Sequence, residues 1–118
     1  ASRHFEEISN RNKMLYQLKD MKLREVFPGF SGRFIHTELT TQAYWEIASG
    51  STLPVHHHIH EQIVHVLEGE FELVLDGVPY RLTPGTVLAI PSQVPHSGRA
   101  ITACKILDVF SPKREDYQ

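Results

Sequence analysis

The sequence predicts an all-β domain, a sandwich or barrel of short antiparallel strands, and three observations carry that expectation. Beyond Phe27 the chain is cut by Pro28-Gly29, Ser31-Gly32, Gly50, Pro54, Gly69, Asp76-Gly77, Pro84-Gly85, Pro91 and Pro95, a turn signal about every 8–12 residues. The pieces between these cuts are short, and several are rich in Val, Ile, Phe and Tyr, residues that suit a pleated, half-buried surface. Asp76-Gly77 is the strongest local signal. A two-residue type I′ turn needs positive φ at both central positions, and this dipeptide tolerates it.

Taken in order, residues 1–22 read as an N-terminal arm or helix. Phe5, Ile8, Leu15 and Leu18 recur at imperfect helical spacing among charged and amide side chains, the pattern of one amphipathic helix over Ala1 to about Asp20. Met14 is a candidate native start. Residues 23–118 form the β domain, with strands expected at Arg33–His36, Ala43–Ala48, Gln62–Leu67, Phe71–Leu75, Pro79–Leu82, Val87–Ile90 and Thr102–Phe110. The Asp76-Gly77 turn joins Glu70–Leu75 to Val78–Leu82 as a hairpin. The apolar stretch Leu23–Phe34 is expected to cross over to a second copy, because strands at open edges leave backbone groups to be paired. A homodimer follows as an expectation.

Composition narrows the function. A chain of 118 residues makes one domain that buries roughly two-thirds of its unfolded surface. Twelve Lys and Arg against 14 Asp and Glu leave a formal net charge of −2, which offers no basic face to a phosphate backbone, so nucleic acid is excluded as a partner. A lone cysteine, Cys104, closes no intramolecular disulfide and fits a reducing compartment. No run approaches the ~20 apolar residues of a membrane helix, and the opening residues lack the apolar core of a signal peptide. The expectation is a cytoplasmic protein.

The chemistry concentrates between Gly50 and His96. His56, His57, His58, His60 and His65 crowd one segment, five of the chain's eight histidines. On an extended strand His56 and His58 share a face, and a following strand carrying Gln62 brings a third donor beside them. First-row divalent ions accept imidazole nitrogen, and the Gln62 amide oxygen completes part of a mixed set. His60 shares the parity and is a reserve ligand, whereas His57 and His65 fall on the other face. Glu61 is the stronger donor but points away from Gln62. His4 and His36 carry no signal. A distant ligand is best sought where two prolines pin the backbone, and Pro91-Ser-Gln-Val-Pro95-His96 ends an apolar strand in that way.

These two segments resemble the paired motifs of the cupin superfamily, Gly-x5-His-x-His-x3-Glu-x6-Gly and Gly-x5-Pro-x-Gly-x2-His-x3-Asn. Gly50, His56, His58, Gln62 and Gly69 fall on the first, and Gly85, Pro91 and His96 on the second. Gln62 stands for Glu, Gln93 for Gly and Ala100 for Asn. The resemblance covers about Arg24 to Tyr117 and implies a jelly-roll β-barrel, in one domain, with one divalent metal inside on His56, His58, Gln62 and His96. Three neutral imidazoles and a neutral amide leave the ion its full double charge, a good Lewis acid. Nickel, zinc, iron, manganese and cobalt all suit such donors.

The last strand adds a second feature. Cys104, Ile106, Asp108 and Phe110 alternate onto one face, which sets a carboxylate on a largely apolar surface. The stretch from Asp108 through Phe110 and Arg114 to Asp116 resembles the C-terminal signature of small cupins that linearise 4,5-unsaturated monouronates in pectin and alginate breakdown. The resemblance implies that Asp108, Phe110 and Arg114 line an active site. A carboxylate can carry the proton of ring opening and ketonisation, Arg114 can grip a substrate carboxylate with a planar fork, and Phe110 supplies an apolar wall. A small sugar acid is the implied ligand. A metal-dependent dioxygenase and a non-catalytic sugar-binding module are the alternatives, because one fold hosts many functions.

Overall fold

Ten strands run from Arg24 to Ser111 in a computed structural model that describes residues 14–118: β1 (Arg24–Phe27), β2 (Phe30–His36), β3 (Thr41–Ile47), β4 (Thr52–His56), β5 (Glu61–Glu68), β6 (Phe71–Leu75), β7 (Val78–Leu82), β8 (Val87–Ile90), β9 (His96–Ala100) and β10 (Cys104–Ser111). All pairings are antiparallel. One sheet has six strands in the order β1-β2-β3-β10-β5-β8, and the other has four in the order β4-β9-β6-β7. The all-β expectation is therefore met, and the two sheets enclose one core.

The helix expected over Ala1 to about Asp20 falls largely outside the described residues. Within them, only Leu18–Asp20 makes a 3-10 turn. The hairpin at Asp76-Gly77 forms as expected: φ is +49° at Asp76 and +79° at Gly77, and Leu75 faces Val78 across the turn.

Three strands lie beyond the reach of propensity. β1 is half charged, β4 carries Pro54, and β9 carries Gly98 and Arg99. Tertiary pairing overrides the local preference. β9 is held between β4 and β6, and Gly98 is needed there because a Cβ would meet the Phe71 ring at 2.5 Å. Within the Leu23–Phe34 stretch, β1 and β2 pair as a hairpin, and the side chain of Phe30 is buried in the chain's own core.

Alternation explains the core. β3, β5 and β10 each bury every second residue, so Trp45, Val66 and Ile106 meet side by side, with Phe30 from β2 and with Phe71 and Leu73 from β6 of the other sheet. β10 lies between β3 and β5, which sets Asp108 between Ala43 and Val64, and Phe110 between Thr41 and Gln62. The last strand thus delivers its carboxylate into the barrel interior.

Candidate functional site

Strand ends bring the histidines together. β4 ends at His56, directly opposite His96, the first residue of β9, and their ring centroids lie 4.2 Å apart. His58 is not on the same strand as His56; it follows β4 in the irregular connection to β5. Strand parity therefore does not place that pair, although the His58 ring still arrives beside the others, 5.0 Å from His96 and 5.8 Å from His56. Each imidazole is turned by its own backbone. Nδ1–H of His56 donates to the Pro54 carbonyl, that of His58 to the His60 carbonyl and that of His96 to the Val94 carbonyl, each at 2.9 Å. This fixes the tautomer and leaves every Nε2 with a free lone pair, the second-shell arrangement that metal-binding histidines use. One ring nitrogen from each of the three lies within 4.8 Å of the other two.

The surroundings suit a cation. His96 Nε2 is buried with no hydrogen-bond partner, a costly state for a polar atom unless a ligand meets it. His58 Nε2 faces Gln62 Oε1 at 3.2 Å; with Nδ1–H already given to a carbonyl, both atoms are acceptors, the polarity of a cation site. Burial, helped by the Arg114 and His96 charges, holds His58 down to about 4, and burial lowers His96 as well. Both rings are neutral near pH 7, the form that ligates metal.

Other histidines sort differently. His60 is outside the three-histidine group, though its ring stands 5.3 Å from His58 and 6.3 Å from Phe110. His57 donates Nδ1–H to Gln93 Oε1 at 2.9 Å, and His65 sits beside Leu107 and Val87 in the strand ladder, on the parity opposite to the buried Val64 and Val66. His36, without signal in the sequence, contacts Thr41 Oγ1 through Nδ1 at 2.8 Å. His4 lies outside the described residues.

Asp108, Phe110 and Arg114 line the same cavity as His56, Gln62 and His96. Burial raises the Asp108 carboxyl to about 7, while Gln62, the Trp45 indole and Arg114 pull the other way. Trp45 Nε1–H donates to Asp108 Oδ2 at 3.0 Å, and Oδ1 has no close hydrogen-bond partner. Phe110 is 2% exposed and stands edge-on to His58, 5.8 Å between centroids. The Arg114 guanidinium carbon lies 4.7 Å from the Phe110 ring centroid and 4.2 Å from that of Tyr117. Its fork is already engaged: Nε donates to Asp116 Oδ1 at 2.9 Å and Nη2 to Asp116 Oδ2 at 2.6 Å. Trp45 and Tyr117 also line this cavity, and Asp116 is bonded to Arg114 beside it; the sequence alone assigns none of the three a role. Asp116 lies inside the C-terminal signature, and only that signature could have marked it.

Known proteins share this fold. A curated relative, the pectin degradation protein KdgF of Dickeya dadantii (strain 3937), is 35% identical over 65 residues, which are 54% of this chain and 59% of that protein. The match thus spans less than two-thirds of the relative's length. The solved structure of KdgF from a Halomonas species superposes with a TM-score of 0.85 at 27% identity, covering 91% of this chain and all of that one (100%). An RmlC-like cupin from Shewanella frigidimarina NCIMB 400 superposes with a TM-score of 0.86, also at 27% identity, over 91% and 97% of the two chains. Among the described residues no helix is long and apolar enough to cross a membrane. Residues 43–110 match the family described as Cupin domain, and with its two antiparallel sheets closed around a histidine cluster the chain belongs to the cupin family.

Proposed function

We propose that the protein is a metal-dependent cupin that opens the ring of a 4,5-unsaturated uronate and releases the linear keto sugar acid. The observation that carries this reading is Asp108, a buried carboxyl held near pH 7 in one cavity with His56, His96 and Arg114, and His58 is clustered with the two histidines. A general acid or base works best when its pKa lies near the working pH. Resemblance to the two KdgF proteins supports the substrate class.

His56, His58 and His96 would hold one divalent ion with Gln62 as a fourth donor, and the bound ion would supply Lewis acidity toward a substrate oxygen. Asp108 takes the proton of the anomeric hydroxyl as the ring carbon–oxygen bond opens, and returns it to the carbon that becomes a methylene as the enol turns into a ketone. The enzyme ends with the proton count it began with. Arg114 neutralises the substrate carboxylate, and Phe110 excludes water from one side. A homodimer in the cytoplasm completes the reading; the apolar Ile63, Leu107 and Val109, on alternate positions from the core residues, support the pairing of two copies.

Loss of the substrate's ultraviolet absorbance measures turnover. Asp108→Asn keeps the shape and removes the basicity, so the rate falls by at least ~10²-fold with metal content intact. Arg114→Lys chiefly raises KM, because the charge stays and the paired hydrogen bonds go. No activity of the metal-loaded protein on any unsaturated uronate rejects the reading. Turnover by a zinc-loaded protein without oxygen rejects a dioxygenase.

A further inference from the structure

Asp116 has no part in the scheme above, yet the fold builds a mount for it. The Arg114 backbone N–H donates to Thr41 Oγ1 at 2.8 Å, on β3. Three residues on, the Tyr117 carbonyl accepts Arg24 Nη2 at 2.8 Å from β1 and lies 3.3 Å from His36 Nε2 of β2. The turn from Arg114 to Tyr117 is therefore tied to three strands, and Tyr117 itself is 7% exposed.

From this mount Asp116 takes the guanidinium side-on, through Nε and Nη2. The rings of Phe110 and Tyr117 lie against the same guanidinium. A guanidinium has five N–H donors in a fixed plane. Asp116 uses the Nε–H and one Nη2 hydrogen; three N–H donors remain, two on Nη1 and one on Nη2, and the Tyr117 hydroxyl is within hydrogen-bond reach of the same guanidinium. The Nη1–Nη2 edge is thus the paired edge left to a ligand. The Arg114 side chain is only 10% exposed and borders the cavity of Asp108, whereas that of Asp116 is 57% exposed. The acid grips from the solvent side and the arginine faces in. The hydrogen bonds from Arg114, with its charge, keep Asp116 below the usual carboxylate range, so the grip persists in mild acid.

We propose that Asp116 is a positioning residue: holding Arg114 side-on, it presents the Nη1–Nη2 edge to the carboxylate of a sugar acid at the barrel mouth. The proposal rests on the sugar-acid reading of the same site. A carboxylate that merely kept the ligand's place would act oppositely, because its removal would tighten ligand binding.

The test uses the full, metal-loaded chain, with D-galacturonate as an unreactive probe in calorimetry. Asp116→Asn breaks the fork and should weaken galacturonate binding by at least ~10-fold, the scale of a charge-assisted hydrogen bond. Asp116→Glu restores a carboxylate and should recover part of the affinity. In nitrogen NMR the Arg114 Nε–H signal, identified by its absence in Arg114→Lys, should be sharp in the wild type and broadened by exchange in Asp116→Asn. Equal or tighter galacturonate binding in Asp116→Asn overturns the proposal. So does a wild type that binds galacturonate no better than neutral galactose, or a collapse of the fold in Asp116→Asn. Asp116-dependent binding without turnover of any unsaturated uronate sinks the lyase reading and leaves the positioning role standing.

Discussion

The two ends of the barrel use the same strands for different purposes. At one end Phe30, Ile47, Val66, Phe71 and Ile106 fill the interior with hydrocarbon and aromatic rings. At the other, the same inward positions carry Thr41, Gln62, His96 and Asp108, with Arg114 closing over them, and every buried polar residue among the described ones is here. Along β10 the change takes two residues, from Ile106 to Asp108. Strand pairing enforces direction but not chemistry, so an apolar end can hold the sheets together while the polar end keeps groups that cost stability. A buried carboxyl or an unpartnered imidazole nitrogen is tolerated where the remaining half of the core is sound.

The sharpest break in that contrast is His96→Ala. It removes a ligand atom from the polar end alone, so tight metal binding should vanish while the fold persists; His57→Ala and His65→Ala should leave about one ion per chain. Metal analysis of the purified variants checks this, and normal metal content in His96→Ala would break the site as drawn.

A smaller effect is the pH dependence that Asp108 gives the metal-free fold. In the unfolded chain its carboxyl ionises near 3.8, in the folded protein near 7. Below about pH 4 both states hold the proton. As pH rises toward 7 only the unfolded chain releases it, so stability falls across that window, by up to roughly 4 kcal/mol. His58, held down to about 4, acts in the opposite sense, because there the unfolded chain is the one that binds the extra proton. Subtraction separates the two groups: urea melts at pH 4 and pH 8 should show Asp108→Asn more stable than wild type at the higher pH only. A constant difference across the range would refute the buried, proton-holding carboxyl.

The smallest effect belongs to the apolar end. Ile106→Val removes one methylene from the core and should cost about 1 kcal/mol in denaturant unfolding, with metal content and its pH dependence unmoved. A loss of metal in that variant would mean that the two ends do not act separately.

Much of this arrangement is legible in the sequence, for reasons that differ by element. Turn residues mark β5 to β8 because Gly69, Asp76-Gly77 and Gly85 adopt positive φ at the places where the chain reverses. β4 and β9 are hidden, since Pro54 and Gly98 argue against strands until their partners are known. The clustered histidines are visible through motif spacing, yet His58 arrives by a loop that alternation does not describe. Least legible is the bond from Trp45 to Asp108, which spans 63 positions. No local pattern encodes it; the register of β3 against β10 does.

The place of β10 also carries a kinetic consequence. It is last of the strands in sequence and central in its sheet, between β3 and β5. Until it docks, β1-β2-β3 and β5-β8 are two separate ribbons with raw inner edges. Their union waits on loop closures of long sequence separation, which are slow to form because the chain must give up entropy before any contact rewards it. Asp108 enters with that strand, so the proton-bearing group is installed in the same late step that completes the sheet. Partly folded chains would carry histidines but no acid between the ribbons, and would expose two sticky edges for as long as that step takes.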